Sequence, residues 1–190
     1  MAPGPSSTRL MTSDKILARR AAQDPEAFGE LFDRYALKIY RYTYSRVRHH
    51  ESAEDITSQV FHDAFENIRQ YRPVAPFAAW LFTIARRRIA DHYRASRPVT
   101  ELSEELPQDR PEILDQLSAH EEHQRLADQL EKLDEDERGL LRLRYAAEMP
   151  YKNIAALVNK KPGAVKIAIY RLLDRLKANM EKTDASKHES

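Results

Sequence analysis

The sequence contains no cysteine and only four glycines among its 190 residues. The absence of cysteine excludes disulfides, thiol catalysis and cysteine-ligated zinc. The glycines are too far apart for a glycine-rich phosphate loop, and their scarcity disfavours a fold rich in tight hairpin turns. No apolar run approaches the ~18 residues that a membrane span needs, and the first residues lack the pattern of a signal peptide. We therefore expect a soluble, cytoplasmic and mostly helical protein.

Ten prolines divide the chain into long proline-free stretches, and these stretches predict helices. Proline is excluded from helix interiors but favoured at the first helical position. Apolar residues recur at steps of three and four in the same stretches, which is the spacing of one helix face. The predicted fold class is all-α, with two small helical domains joined by a flexible acidic linker, the second domain containing a helix-turn-helix.

The first predicted domain spans residues 13–97. Its predicted elements are a short helix near Lys15–Gln23, a helix from Pro25 to about Val47, a helix from Ser52 to Ile68, a loop at 71–76 and a helix from Phe77 to Arg94. Asp24 is the predicted N-cap of the helix at Pro25, and Ser52 is the predicted cap of the next helix. The inward face of the helix at Pro25 is predicted to consist of Phe28, Leu31, Phe32, Tyr35, Ile39 and Tyr42.

The second predicted domain spans residues 122–181. Asp134 and Glu137 form a predicted N-cap and N3 pair at the start of one of its helices. A short helix from Tyr151 to Val158, a turn at 159–161 and a basic helix from Pro162 form the predicted helix-turn-helix. Residues 98–121 are the predicted acidic linker, and residues 1–12 and 182–190 are predicted to be disordered.

Charge is strongly segregated along the chain, although the net charge is only +1. Residues 69–97 carry seven arginines and one acid, residues 98–122 carry eight acids and one arginine, and residues 152–177 carry seven basic residues and one acid. Two basic patches joined by an acidic segment indicate two contacts with a polyanion. Each patch could instead be a solvated helix face, but the helix-turn-helix favours nucleic acid.

Both basic patches contain side chains suited to nucleic acid. The exposed face of the helix at Pro162 is predicted to carry Ala164, Lys166, Ile167, Tyr170, Arg171, Asp174 and Arg175. Its early members can reach base edges and its basic members phosphates, unless the motif is a plain helical hairpin. In residues 77–88, aromatic residues and arginines can grip a backbone and stack on unpaired bases, although Trp80 taken alone is better explained as a core residue. Three successive arginines span too much of a helix to share one phosphate track, so at least one is expected to serve packing or the surface.

Clusters with catalytic chemistry are scarce. His120 and His123 have the spacing of two metal ligands on one helix face, but a solvated face is the favoured interpretation. The carboxylates of the acidic linker cannot hold an acid/base pair in reach of a reacting atom, because the linker is flexible. We predict that the protein is not an enzyme and that it holds neither a metal nor a cofactor.

The order of these parts resembles the extracytoplasmic-function group of bacterial RNA polymerase sigma factors, in the sigma-70 family. The resemblance runs from about Asp24 to Met180. In the first domain it rests on one group of residues in each of the three long predicted helices. The groups are residues 24–28 with Leu31, Phe32 and Tyr35; residues 53–56 with 60–61 and 64–65; and Phe77 with residues 80–81, 84–86 and 91–94. In the second domain it rests on 141–145, on Tyr151 with 154–155, and on 163–166.

The resemblance implies a sigma subunit that binds core RNA polymerase through its beta and beta-prime subunits and directs transcription from promoter DNA. The residues implied in core-polymerase binding are Asp55, Gln59, His62 and Asp63. Those implied in recognising and opening the minus-ten element are Arg72, Phe77, Trp80, Arg86 and Arg87. Those implied in reading the minus-thirty-five element are Lys161, Ala164, Lys166, Ile167, Tyr170 and Arg171. The acidic linker would thread towards the active-site and RNA-exit channels. An anti-sigma factor is an implied partner, and no membrane insertion is implied.

The sequence departs from the family pattern in three places. Ser58-Gln59 stands where the family often has Gln-Glu, and Arg87 stands where an Asn often follows the Ala-Arg pair. Lys161 and Ile167-Ala168 replace the common Ser or Thr cap and the polar Ser-Arg pair. The last change predicts methyl contacts with thymine or an altered consensus. A stand-alone helix-turn-helix regulator remains the alternative function.

Overall fold

The computed structural model describes residues 12–95 and 116–188, with side chains in 12–95 and 124–181. The predicted disordered segment 1–12 lies outside the described residues except for Thr12, and the predicted linker 98–121 lies outside them up to residue 115. All regular structure in the described ranges is helical, as the proline spacing and apolar periodicity predict.

Eight α-helices follow one another in the two described ranges. They are α1 (Asp14–Arg20), α2 (Pro25–Val47), α3 (His50–Asn67), α4 (Phe77–Ala95), α5 (Gln116–Glu131), α6 (Glu135–Leu141), α7 (Tyr151–Leu157) and α8 (Pro162–His188). A short 3-10 turn at Ile68–Gln70 follows α3, and a π-helical turn at Arg142–Ala146 follows α6.

Helices α2, α3 and α4 pack together, with α1 against α2 and α4, to form the first domain. The predicted cap of α2 is confirmed, because the Asp24 carboxylate accepts hydrogen bonds from the backbone N–H groups of Glu26 and Ala27. The predicted cap of α3 is wrong. Arg48 adopts a left-handed conformation (φ 54°), so the chain turns within two residues and α3 already begins at His50. The His49 ring, not Ser52, caps it by accepting from the Ser52 N–H at 3.3 Å.

The inward face of α2 is confirmed for five of the six predicted residues. Phe28, Leu31, Tyr35, Ile39 and Tyr42 are buried. Phe32 is 44% exposed, because it lies at the flank of this stripe. Its ring makes an edge contact with the Phe61 ring at 4.7 Å between centroids.

The second domain is built around α7 and α8. The predicted pair of Asp134 and Glu137 forms a full capping box at the start of α6. Each side chain accepts a hydrogen bond from the backbone N–H of the other residue. Helix α5 begins at Gln116, within the last residues of the predicted linker, and α8 continues to His188, beyond residue 181. Neither proline nor glycine follows Gly163, so no residue there stops the helix.

The two domains are packed against each other. Helix α4 lies against α7, and α2 lies against the π-helical turn. Tyr42, Ile89 and Leu143 are all at most 3% exposed and belong to one apolar cluster that runs through both domains. Among the described helices, none combines the length and the hydropathy that a transmembrane span requires.

One polar side chain in the core of α2 lacks a partner and gives a stability prediction. Thr43 is fully buried, and no described group hydrogen-bonds its Oγ1. Valine has nearly the same shape without the hydroxyl, so we expect Thr43→Val to raise the free energy of unfolding by about 1 kcal/mol. Urea denaturation followed by circular dichroism measures this.

The matched control for this substitution is Thr57→Val in α3. The Thr57 Oγ1 donates to the Ala53 carbonyl oxygen at 2.7 Å. Removal of this hydroxyl should therefore not raise the free energy of unfolding. A Thr43→Val protein no more stable than the wild type would show that this hydroxyl is satisfied.

Candidate nucleic-acid interface

The outer face of α3 carries the four residues implied in polymerase binding. Asp55, Gln59 and His62 are exposed, whereas Asp63 is half-buried. The Asp63 carboxylate accepts two hydrogen bonds from Arg88 of α4, one of them from Nε at 2.6 Å. Asp63 therefore joins α3 to α4, while the other three side chains are available to a partner.

The same face contains the one group of potential metal ligands found among the described residues. His62, Asp63 and Glu66 place ligand atoms within 4.8 Å of one another. Both Asp63 oxygens already accept from Arg88, and His62 and Glu66 are exposed, so this group lacks the buried ligand set of a structural metal centre. The side chains of His120 and His123 lie outside the described residues.

The loop at 71–76 is fixed to the start of α4 by aromatic rings. Tyr71 contacts Phe77 at 5.6 Å and Trp80 at 5.3 Å between ring centroids, and Tyr35 contacts Phe77 from α2 at 5.6 Å. The Tyr71 hydroxyl also donates to the Ala75 carbonyl oxygen at 2.8 Å, which closes the loop. These contacts give the loop a defined shape.

Residues implied in minus-ten contact divide between the aromatic cluster and the surface. Phe77 is only 2% exposed, so in this structure it packs under the loop and has no surface to offer DNA. Trp80 is half-buried beside it, whereas Arg72 is exposed. Within the cluster, burial and then the hydrogen bond to Asp14 raise the pKa of the Tyr35 hydroxyl above its ordinary value.

The three consecutive arginines of α4 have different roles. Arg86 and Arg87 are exposed, while Arg88 is half-buried in its pair with Asp63. The hydrogen bonds that Arg88 donates to Asp63 raise the pKa of the Arg88 guanidinium. The sequence-based expectation that at least one of the three serves packing or the surface is thus confirmed for Arg88.

The helix-turn-helix has the geometry that its sequence predicts. Asn159 adopts a left-handed conformation (φ 53°) between α7 and α8, and the Lys160 N–H donates to the Ala155 carbonyl oxygen at 2.9 Å. The residues that hold the two helices together are buried: Ile154, Ala155, Val165, Ile169 and Leu172.

The opposite face of α8 is open. All seven residues predicted on that face are exposed, as is Lys161: Ala164, Lys166, Ile167, Tyr170, Arg171, Asp174 and Arg175. The Lys166 ammonium lies 5.7 Å from the centre of the Tyr170 ring, and the side chain of Ile167 is 54% exposed. Arg175 is bound by the Glu137 carboxylate at 2.5 Å, so the free basic groups are in the first turns of α8.

Sequence reasoning missed a second set of charged residues, which lies between the domains. Arg41 of α2 binds Glu148 at 2.7 Å, and Arg46 binds Glu135 at the start of α6. Arg142 also binds Glu135, at 3.1 Å. Burial, together with the nearby cations of Arg46 and Arg138, lowers the pKa of Arg142 to about 10. The only sequence signal for these contacts is the excess of basic residues at the end of α2.

Two family models match the chain, one in each domain. The model of Sigma-70 region 2 matches residues 31–98, and the model of Sigma-70, region 4 matches residues 123–176. The first match covers most of α2, α3 and α4, and the second covers the helix-turn-helix.

Curated relatives match across both domains. The ECF RNA polymerase sigma factor BldN of Streptomyces coelicolor is 32% identical over 90% of this chain, which spans 65% of BldN. The ECF RNA polymerase sigma factor SigD of Mycobacterium tuberculosis is 31% identical over 86% of this chain and 82% of SigD. A solved structure of CnrH in complex with the cytosolic domain of CnrY is 27% identical, with a TM-score of 0.61, and covers 90% of this chain and 99% of CnrH. A curated CnrH is from Cupriavidus metallidurans.

The different partners of Arg87 and Arg88 give a prediction that separates structure from binding. We expect Arg88→Gln to lower the free energy of unfolding by about 1 kcal/mol, because it breaks a half-buried paired contact with Asp63. We expect Arg87→Gln to change stability by less than about 0.5 kcal/mol but to weaken DNA binding and reduce its salt dependence. Urea denaturation and oligonucleotide binding at several salt concentrations measure both.

Each arginine variant is the control for the other, since both remove one positive charge from α4. Equal losses of binding in the two variants would contradict the assignment of Arg88 to the contact with Asp63.

Proposed function

This chain belongs to the extracytoplasmic-function sigma factors of the sigma-70 family, the subunits that direct RNA polymerase to promoters, and from that premise we propose how its residues do so. It binds core polymerase through α3, opens the minus-ten element with α4 and the loop before it, and reads the minus-thirty-five element with α8. The observation that carries the proposal is the presence, in one chain, of the region 2 and region 4 matches with an exposed basic surface in each. We further propose that it acts in the cytoplasm, without catalytic activity, metal or cofactor of its own.

Core binding is assigned to Asp55, Gln59 and His62. These side chains are exposed on one helix whose other face is buried in the core of the first domain. Their support is rigid, because the Arg88–Asp63 pair holds α3 against α4. A rigid polar face on an amphipathic helix is suited to a polymerase subunit that contributes cations, since opposite charges speed association and fix register.

Minus-ten recognition is assigned to Arg72, Trp80, Arg86 and Arg87. The guanidinium groups would neutralise phosphates and the Trp80 ring would hold the loop and border an unpaired base. Phe77 acts as a positioning residue, because it packs beneath the loop against Tyr35 and Tyr71.

Minus-thirty-five recognition is assigned to the first turns of α8. Lys161, Lys166 and Arg171 are exposed cations that can anchor phosphates. Ala164, Ile167 and Tyr170 follow one another at three-residue steps, which places them on one helix face. An apolar strip of this kind favours contact with thymine methyl groups over hydrogen bonds to guanine.

The partner that regulates the protein is proposed to be an anti-sigma factor. The relative CnrH has been solved with the cytosolic domain of CnrY bound. The alternative, a stand-alone operator-binding regulator, would have no use for the first domain and its polar α3 face. Co-purification with core polymerase, followed by transcription in vitro from a promoter library, separates the two functions. Absence of both co-purification and promoter-dependent transcripts would overturn the sigma assignment.

Core binding gives a prediction at Asp55. We expect Asp55→Arg to weaken core-polymerase affinity at least tenfold without unfolding the domain, because exposed substitutions shift stability by less than about 0.5 kcal/mol. Fluorescence anisotropy of a labelled sigma factor titrated with core polymerase measures the affinity. The control is Glu131→Arg, which makes the same charge change at an exposed position of α5. Undiminished affinity in Asp55→Arg would remove α3 from the polymerase interface.

Promoter reading gives a prediction at Lys166 and Ile167. We expect Lys166→Ala to weaken binding to all minus-thirty-five sequences about equally, because a phosphate contact carries no sequence information. Ile167→Arg should instead change which sequence is preferred, since a bidentate arginine–guanine contact gives about 1–3 kcal/mol of discrimination. Binding to a set of minus-thirty-five variants measures both effects. The roles are reversed if Lys166→Ala changes the ranking and Ile167→Arg does not.

A further inference from the structure

The α2–α3 corner, residues 40–50, carries three aromatic rings that lie outside the apolar core. Arg48 adopts a left-handed conformation (φ 54°), which turns the chain so that His50, the first residue of α3, lies against the last turns of α2. The His50 ring stacks on the Tyr44 ring at 4.4 Å between centroids, with 27° between their planes. The Tyr40 hydroxyl and His50 Nδ1 are hydrogen-bonded at 2.7 Å.

Tyr40 and His50 form one nearly flat surface. Their planes differ by only 23°, and their centroids are 6.5 Å apart. This separation is close to the greatest that the hydrogen bond between the two rings permits, so the rings meet edge to edge and not face to face. Tyr44 supports the surface from one side, because its ring stacks on the imidazole and lies within 15° of the Tyr40 plane.

The flat surface lacks a stacking partner on the side away from Tyr44. His50 is exposed, and Tyr40 is half-buried. Among the residues that the structure describes, these two rings stack only with each other and with Tyr44. A supported aromatic face at the protein surface is suited to a flat ligand, and a nucleobase is such a ligand, since every base has a π-face.

The chain around the rings is basic. Residues 38–50 contain two histidines, no aspartate or glutamate, and four stronger bases: Lys38, Arg41, Arg46 and Arg48. Arg41 and Arg46 bind acids of the second domain, whereas Arg48 is exposed and forms no ion pair within the described ranges. Positive charge beside stacking rings is the composition of surfaces that bind single-stranded nucleic acid, because the cations bind the backbone and the rings bind the bases.

The α2–α3 corner adjoins the end of α4. The Tyr93 hydroxyl, in the last turn of α4, donates to the Arg46 carbonyl oxygen at 2.5 Å. A strand that leaves the basic face of α4 therefore passes close to the rings. Bases inside a duplex already stack on one another, so only an unpaired base can lie on this surface.

We propose that the α2–α3 corner is a further binding site for single-stranded DNA, in which an unpaired base stacks on Tyr40 and His50 while Arg48 binds a neighbouring phosphate. The site uses none of the residues assigned above to the minus-ten or minus-thirty-five element. It rests on the proposed function only for the source of the strand, which is the promoter opened at α4. A base held at the corner cannot pair again, so the site stabilises the opened promoter.

Oligonucleotides containing the fluorescent base 2-aminopurine test the stacking directly, because stacking on an aromatic ring quenches this base. The base is placed at each position of a short single strand in turn, and each strand is titrated with the full-length protein. In the variant that combines Tyr40→Leu with His50→Leu, we expect at least one position to lose the quenching seen in the wild type. Affinity should fall about fivefold or more, which is the lower end of what one base–aromatic stack contributes.

Two further variants separate stacking from an effect on folding, which circular dichroism monitors. Tyr40→Phe with His50→Phe keeps both rings and should keep the quenching. Tyr145→Leu removes a tyrosine that is 55% exposed in the second domain, and it should change neither quenching nor affinity.

The phosphate contact has its own variant, Arg48→Asn. Asparagine tolerates the left-handed conformation, and the Arg48 side chain forms no ion pair in the described part of the chain, so this protein should fold. We expect weaker binding of the single strand and a smaller dependence of that binding on salt. Unchanged affinity and salt dependence would overturn the role of Arg48.

Three results would overturn the stacking site. They are unchanged quenching in the leucine variant, an equal loss of quenching in the leucine and phenylalanine variants, and an equal loss of affinity for single-stranded and duplex DNA. A strand of RNA that the wild type binds more tightly than the same DNA sequence would overturn the assignment to DNA. Binding of the same strands by Arg87→Gln tests the α4 surface separately. Weakened binding in that variant, with no effect of the leucine variant, would remove the corner site and leave the proposed function intact.

Discussion

The packing of the first domain depends on one constraint in α4. This helix carries three successive arginines, while its other face is buried in the hydrophobic core. Successive side chains on a helix point about 100° apart, so Arg86, Arg87 and Arg88 cannot share one direction. Ala85 and Ile89 must face inward, and Arg88 beside them is left half-buried. Asp63 of α3 resolves the conflict by accepting two hydrogen bonds from it. This pair fixes the α3–α4 packing and leaves the other two arginines on the surface.

Features set by local physics were predictable from the sequence. The range Pro25–Val47 of α2 follows from a proline at the first helical position and an apolar residue at every third or fourth step. The capping box of Asp134 and Glu137 depends on groups three residues apart, so it can be read without knowing the fold. The exposed face of α8 was likewise predictable. The apolar residues Val165 and Ile169 mark the buried face, so the residues on the opposite side of the helix are exposed.

Features set by long-range contacts were not. A half-buried Asp63 has the same local pattern as an exposed Asp55, and only the position of Arg88 distinguishes the two. Phe77 belongs to an aromatic-rich segment suited to DNA, but rings from α2 and the preceding loop cover it. No repeating pattern in the sequence reveals how the two domains pack together. The packing joins residues about a hundred positions apart, such as Arg41 and Glu148, through charges that are common on any surface.

Because the two domains pack together, the segregation of charge along the chain also affects the contact between them. Two basic patches on separate domains repel each other, and repulsion alone would hold the domains apart in the absence of a polyanion. The acids that precede the second patch offset this repulsion, because Glu135 and Glu148 bind arginines of α2, while Lys166 and Arg171 are exposed to solvent. One domain can therefore present opposite charges in two directions, towards the other domain and towards DNA.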